Sequence, residues 1–138
     1  MVHALQEVRR VLKLGGIVID LRPICVAVPL FILTSTGWIS AGIADRGPER
    51  VDDVAANRAM RIVVLEGSFK KLRREYFNLN YYWNDLKELK MDLEGRWKGD
   101  IVISREIWQH ARRLFKNGSG QGRILIPIRM KITRYQKL

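Results

Sequence analysis

The feature that most constrains this chain is its last segment. From Arg123 to Tyr135 the residues alternate strictly, with Ile124, Ile126, Ile128, Met130 and Ile132 on one parity. A period of two over that length predicts a long β-strand with one covered face, and five apolar positions fit a central place in a sheet. A strand cannot satisfy its backbone alone, so other strands must lie beside it.

The rest of the chain supplies candidates. Ile17-Val18-Ile19-Asp20-Leu21 is a short β-branched run closed by Arg22-Pro23. Its near-continuous apolar character fits a strand covered on both faces. Val26 to Thr34 and Trp38 to Ile43 read as a hairpin about Thr36-Gly37, with Pro29 placing the first arm at an edge. Phe69 to Asn78 is a strand with one wet face. Helices are expected over Val2–Lys13, Glu49–Glu66, Asp85–Trp97 and from Ser104 to Lys116. The second has Val51, Val54, Ala55, Ala59, Ile62 and Val63 at helical spacing, with Asp52 and Asp53 suiting its dipole. Asn84 caps the third and Ser104 the fourth. In the fourth, Ile107, Trp108, Ala111, Leu114 and Phe115 form the expected buried side.

This order predicts a single α/β domain over residues 1–138, with flanking helices and a β-hairpin. At 47% apolar and 28% charged residues, the composition is globular. The lone Cys25 excludes an internal disulfide framework and a Cys-rich zinc site. The start of the chain does not read as a signal peptide. The apolar stretch Ile24–Leu33 is too short to span a membrane and contains Pro29. A cytoplasmic protein without membrane contact is expected.

The first segment, Ala4-Leu5-Gln6-Glu7-Val8-Arg9-Arg10-Val11-Leu12-Lys13-Leu14-Gly15-Gly16-Ile17-Val18-Ile19-Asp20, resembles the L-x-E-x-x-R-V-L-K-P-G-G-h-h-h-h pattern of class I S-adenosylmethionine-dependent methyltransferases. Leu14 stands where that family usually has proline. There, the segment is the helix before the fifth strand and the strand itself. The resemblance implies that Glu49–Glu66 and the strand from Phe69 are the family's last helix and sixth strand. Tyr81-Tyr82-Trp83 before a Leu-rich helix recurs in some members as an insertion. Arg123–Tyr135 becomes the seventh, antiparallel strand, set between the other two. The expected fold is therefore part of a Rossmann-like methyltransferase sheet, with three main strands in mixed orientation.

The family's glycine-rich loop and its acidic ribose-binding residue belong to the other half of that fold. The resemblance thus implies a methyltransferase-like C-terminal fragment, non-catalytic alone, with no cofactor site of its own. S-adenosylmethionine is implied only for a complete member. Its role would be that of a remnant, a subunit or a regulatory or assembly partner; completion by a partner chain would give an active enzyme. The Ile17–Leu21 strand is left with a bare edge where the family's fourth strand pairs. A homodimer or a partner chain is expected to cover it.

Other chemistry is sparse. Gly118-Ser119-Gly120-Gln121-Gly122 spells a G-x-G-x-G pattern, but it follows a basic helix and opens a strand, the reverse of a nucleotide-binding turn. Asp20 and Arg22, at the expected end of the first strand, fit either a ligand site or a structural salt bridge. His110 has no nucleophile placed with it. His3 lies at the chain's start.

Charge is unevenly spread. The net charge is +11, and residues 101–138 hold nine basic side chains against Glu106 alone. Arg123, Arg129 and Lys131 share a parity with Tyr135, and Arg134 lies beside them. Such a strip fits a phosphate backbone, so a basic nucleic-acid-binding module is the alternative function.

Overall fold

The computed structural model describes residues 1–24, 26–47, 50–118 and 123–138. Cys25, Pro48, Glu49 (the expected start of the second helix) and the stretch 119–122, which holds most of the G-x-G-x-G pattern, lie outside the described residues. The elements are α1 (Val2–Val11), β1 (Ile17–Pro23), β2 (Val28–Thr34), β3 (Gly37–Ala44), α2 (Arg50–Leu65), β4 (Phe69–Trp83), α3 (Leu86–Glu94), α4 (Arg105–Asn117) and β5 (Ile124–Lys137). The chain is α/β, with four helices and a five-stranded sheet among the described residues.

The long C-terminal strand organises the sheet, as its alternation predicts. β5 pairs with β1, β2 and β4. The orientation differs from the mixed sheet expected. β1–β5, β2–β3 and β2–β5 are all antiparallel. The hairpin is part of the same sheet: its first arm joins β5 directly, through Phe31 opposite Leu125 and Ile32 opposite Ile124. β2 is thus not an edge strand, despite Pro29. The ladder to β5 covers only those two residues, so the missing N–H of Pro29 falls outside it.

Chain contacts divide the molecule into two compact units. One holds Met1–Ile24, Arg50–Phe77 and Met130–Leu138; the other holds Cys25–Glu49 and Asn78–Arg129. β4 and β5 contribute to both.

In the first unit, α1 and α2 pack together over a core of Met60, Val63, Phe69 and Tyr135. Val2, Leu5 and Val8 of α1, its C-cap Leu12 and Val18 of β1 close around it. Helical spacing explains the α1 residues, which recur at three- and four-residue intervals. On α2 the buried stripe is Ala56, Ala59, Met60 and Val63, whereas Val51 and Val54 are exposed. The buried stripe therefore runs along Ala56, Ala59, Met60 and Val63, not along the Val51–Val54 side expected. Gly15, at φ 74°, turns the chain from α1 into β1.

In the second unit, α4 lies on β2 and β3. Ala111 is fully buried, and Ile107 lies over Gly42, where an added Cβ would stand 2.7 Å from its Cγ1. Val28, Leu30, Ile32, Ile124 and Ile126 are among the most buried strand residues. β4 runs five residues beyond Asn78, through Tyr81-Tyr82-Trp83, since aromatic residues suit a strand. Tyr81 and Trp83 meet Trp97 edge-on, with ring centres 4.6 and 5.4 Å apart. Trp83 Nε1 donates to Asp92 at 2.8 Å. The cap of α3 is Asp85, not Asn84: its Oδ1 accepts from the amides of Lys87 and Glu88, both at 2.8 Å. Ser104 caps α4 as expected.

Burial along β5 follows the same division. Ile124, Ile126 and Ile128 are buried in its first part; Lys131, Thr133 and Tyr135 are buried in its second. The buried parity changes between Ile128 and Lys131, so one uninterrupted apolar face from Ile124 to Ile132 is not what forms.

Candidate functional site

The densest polar cluster lies in the first unit, on the face of β1 and β5 that α2 covers. Cross-strand register sets Asp20 opposite Thr133 and Arg22 opposite Lys131. β1 extends to Pro23, so Asp20 sits inside the ladder rather than at the strand's end. Arg22 grips Asp20 with two parallel bonds, Nε to Oδ1 at 2.6 Å and Nη2 to Oδ2 at 2.9 Å. Such a fork is the strong form of this pair.

Helix α2 completes the network. Asp53 stands 3.4 Å from Arg22 Nη1. Asn57, one turn on, accepts through Oδ1 from Arg22 Nη2 at 3.0 Å and from Lys131 Nζ at 2.6 Å. Its Nδ2 donates to Asp53 at 3.2 Å. Two cations, two carboxylates and one amide thereby satisfy each other.

The electrostatics agree. The hydrogen bond Arg22 donates to Asp20 raises the Arg22 pKa above its ordinary value, against the opposing effect of burial. Burial lowers the Lys131 pKa below the ordinary lysine value, and the nearby Arg22 charge adds to this. Lys131 is only 4% exposed. The hydroxyl of Thr133, fully buried, finds no hydrogen-bond partner among the described residues.

Asp20 and Arg22 are thus brought together, as the salt-bridge reading has it, and both oxygens of Asp20 are engaged by Arg22. The expected basic strip is not brought together in the same way. Arg123, Arg129 and Arg134 are exposed, while Lys131 points into the protein. Arg129 Nη1 reaches Asn78 at 3.2 Å. The parity change along β5 is the physical reason. His110 Nδ1 donates to the Ala41 carbonyl at 2.9 Å, an ordinary anchoring bond between α4 and β3. Among the described residues no group of His, Cys, Asp and Glu is placed to hold a metal, and no helix is long and apolar enough to cross a membrane.

Sequence reasoning missed Asp53 and Asn57 as members of this network. Their i, i+4 spacing on α2 was the available signal.

The edge of β1 is the other notable feature of this unit. β1 pairs with β5 on one side and ends the sheet on the other; no further strand pairs with it among the described residues. Ile19 and Leu21 are 53% and 51% exposed. Opposite them across the ladder stand Arg134 and Ile132. Neither a family model, nor a curated protein, nor a solved structure matches this chain.

Proposed function

We propose that this chain is the C-terminal half of a methyltransferase-type α/β fold, without catalysis of its own, and that it acts through pairing at the open edge of β1. One observation carries the reading. β5 neighbours both β1 and β4 and runs antiparallel to β1. That is the order which the resemblance of the Ala4–Asp20 segment implies for the family's last three strands. The helix, Gly15-Gly16 turn and β-branched strand of that segment support it at the local level. The hairpin β2–β3 is an addition to the pattern.

In that fold S-adenosylmethionine is held by the other half, which other residues would supply. Asp20, the carboxylate nearest the expected ligand end, bonds Arg22 through both oxygens, and no step of methyl transfer is assigned to this stretch. What the chain offers is an edge. Unpaired strand groups are a template for another strand, and the exposed Ile19 and Leu21 add apolar surface beside them. In isolation two copies meet that need through antiparallel β1 strands about a two-fold axis, which pairs like with like. Completion by a chain carrying the other half would use the same edge.

Calorimetric titration of the isolated chain with S-adenosylmethionine tests the non-catalytic reading. No saturable binding is expected. A saturable isotherm would overturn it.

A further inference from the structure

We propose that the groove between α3 and α4 binds single-stranded nucleic acid, a site independent of the β1 edge. The groove belongs wholly to the second unit. It has a volume of about 750 Å³ and is lined by Leu86, Lys87 and Lys90 of α3, Ile103, and Arg105, Trp108, Gln109 and Arg112 of α4. That volume is typical of ligand clefts, which run to roughly 300–1,000 Å³.

The helix periods explain the lining. Arg105, Trp108, Gln109 and Arg112 follow i, i+3, i+4, i+7, so they share one face of α4. The face used against the hairpin carries Ile107, His110 and Ala111. Trp108 was expected in the core beside Ile107. Instead it is only half-buried and forms part of the groove wall.

Four of the eight lining residues are cationic and none is acidic. Among the described residues, the side chains of Lys87, Arg105 and Arg112 have no ion-pair or hydrogen-bond partner. Lys90 has only a solvent-exposed contact with Glu94 at 3.5 Å, a kind of pair worth little. The first-turn carboxylate of Glu88 is held aside by the Asn84 amide at 2.9 Å.

Clustered, unpaired cations attract a polyanion. Charge alone does not distinguish polyanions, but an indole among the cations does. Bases of a single strand present free faces for stacking on an aromatic ring, whereas those of a duplex are stacked on each other. Leu86 and Ile103 add apolar lining beside Trp108. Phosphates on the cations and a base on the indole use every kind of group the groove contains.

The test is fluorescence anisotropy of the full 138-residue chain with a labelled oligouridylate of about 12 nucleotides, across a salt series. Four phosphate contacts predict a log–log salt slope of about −3. Lys87→Ala with Arg112→Ala should make that slope shallower by about 1.4. Trp108→Leu should weaken binding about 10-fold or more with the slope unchanged, because it removes stacking and not charge. Arg123→Ala with Arg134→Ala should change nothing. Equal binding of polyglutamate or of a duplex would overturn the proposal, as would sensitivity confined to Arg123 and Arg134. If circular dichroism shows Trp108→Leu to be misfolded, the salt slopes of the Lys87/Arg112 variant and the polyglutamate competition decide it.

Discussion

The two units treat charge in opposite ways. In the first, Arg22 and Lys131 are drawn under α2 and matched by Asp20, Asp53 and Asn57. In the second, Lys87, Arg105 and Arg112 line a groove without partners among the described residues. The same residue types therefore have different jobs. Matched charges fix a helix to a sheet, and their removal should be felt as stability. Unmatched charges hold little of the fold together, and their removal should be felt only as binding.

The sharpest way to break this contrast is to remove one member from each unit. Arg22→Ala strips Asp20 of both its bonds and leaves a carboxylate whose side chain is only 11% exposed. Orphaning a largely buried charge predicts a loss of about 3 kcal/mol in urea unfolding. Arg112→Ala, by the same measurement, should stay within about 0.5 kcal/mol of the parent. Equal losses would end the distinction.

A smaller effect is expected beneath the groove. Gly42 has φ 149°, and a Cβ there would stand 2.7 Å from Ile107 Cγ1. Gly42→Ala should cost about 2 kcal/mol through crowding and backbone strain. By displacing α4 it should also weaken oligonucleotide binding in parallel.

Lys131→Met sharpens the comparison within the first unit. Burial holds the Lys131 pKa below 10.5, so the folded protein gives up this proton more readily than the unfolded chain. Between the two pKa values the unfolded state binds more protons, and this group's contribution to stability rises with pH. The Met variant should lose that rise. At neutral pH its stability should lie within about 1 kcal/mol of the parent, since an apolar side chain replaces a costly buried ammonium. Urea melts at neutral pH and near pH 10 check both statements.

The smallest effect on folding is expected at β1. Ile19→Glu places a carboxylate opposite Arg134, worth a few tenths of a kcal/mol across a ladder. In a pair of β1 edges it brings like charges together and should reduce self-association at least 10-fold, about 1.4 kcal/mol.

Much of this fold was legible because its elements carry strong local periods. The alternation of Arg123–Tyr135 marked the organising strand, the Thr36-Gly37 turn marked the hairpin, and Gly15-Gly16 marked the helix-to-strand switch. What stayed hidden depended on tertiary covering. Nothing local in Ile128-Arg129-Met130-Lys131 shows that burial changes parity there, so Lys131 was assigned to an exposed strip. Trp108 reads as core by hydropathy alone. Only the packing of Ile107 on Gly42 and the bond from His110 to Ala41 set the orientation of α4 and leave the indole in a groove. Asp20 and Arg22 were legible as a pair, but the partners on α2 were separated from them by more than thirty residues.

The central claim is that β1 is an edge built to be paired. Light scattering after size exclusion, over a rising concentration series, measures it directly. A single chain has a mass of 16.0 kDa. The parent should approach twice that mass as concentration rises, and Ile19→Glu should remain near one chain. A parent that stays at the mass of one chain at the highest concentration would contradict the claim.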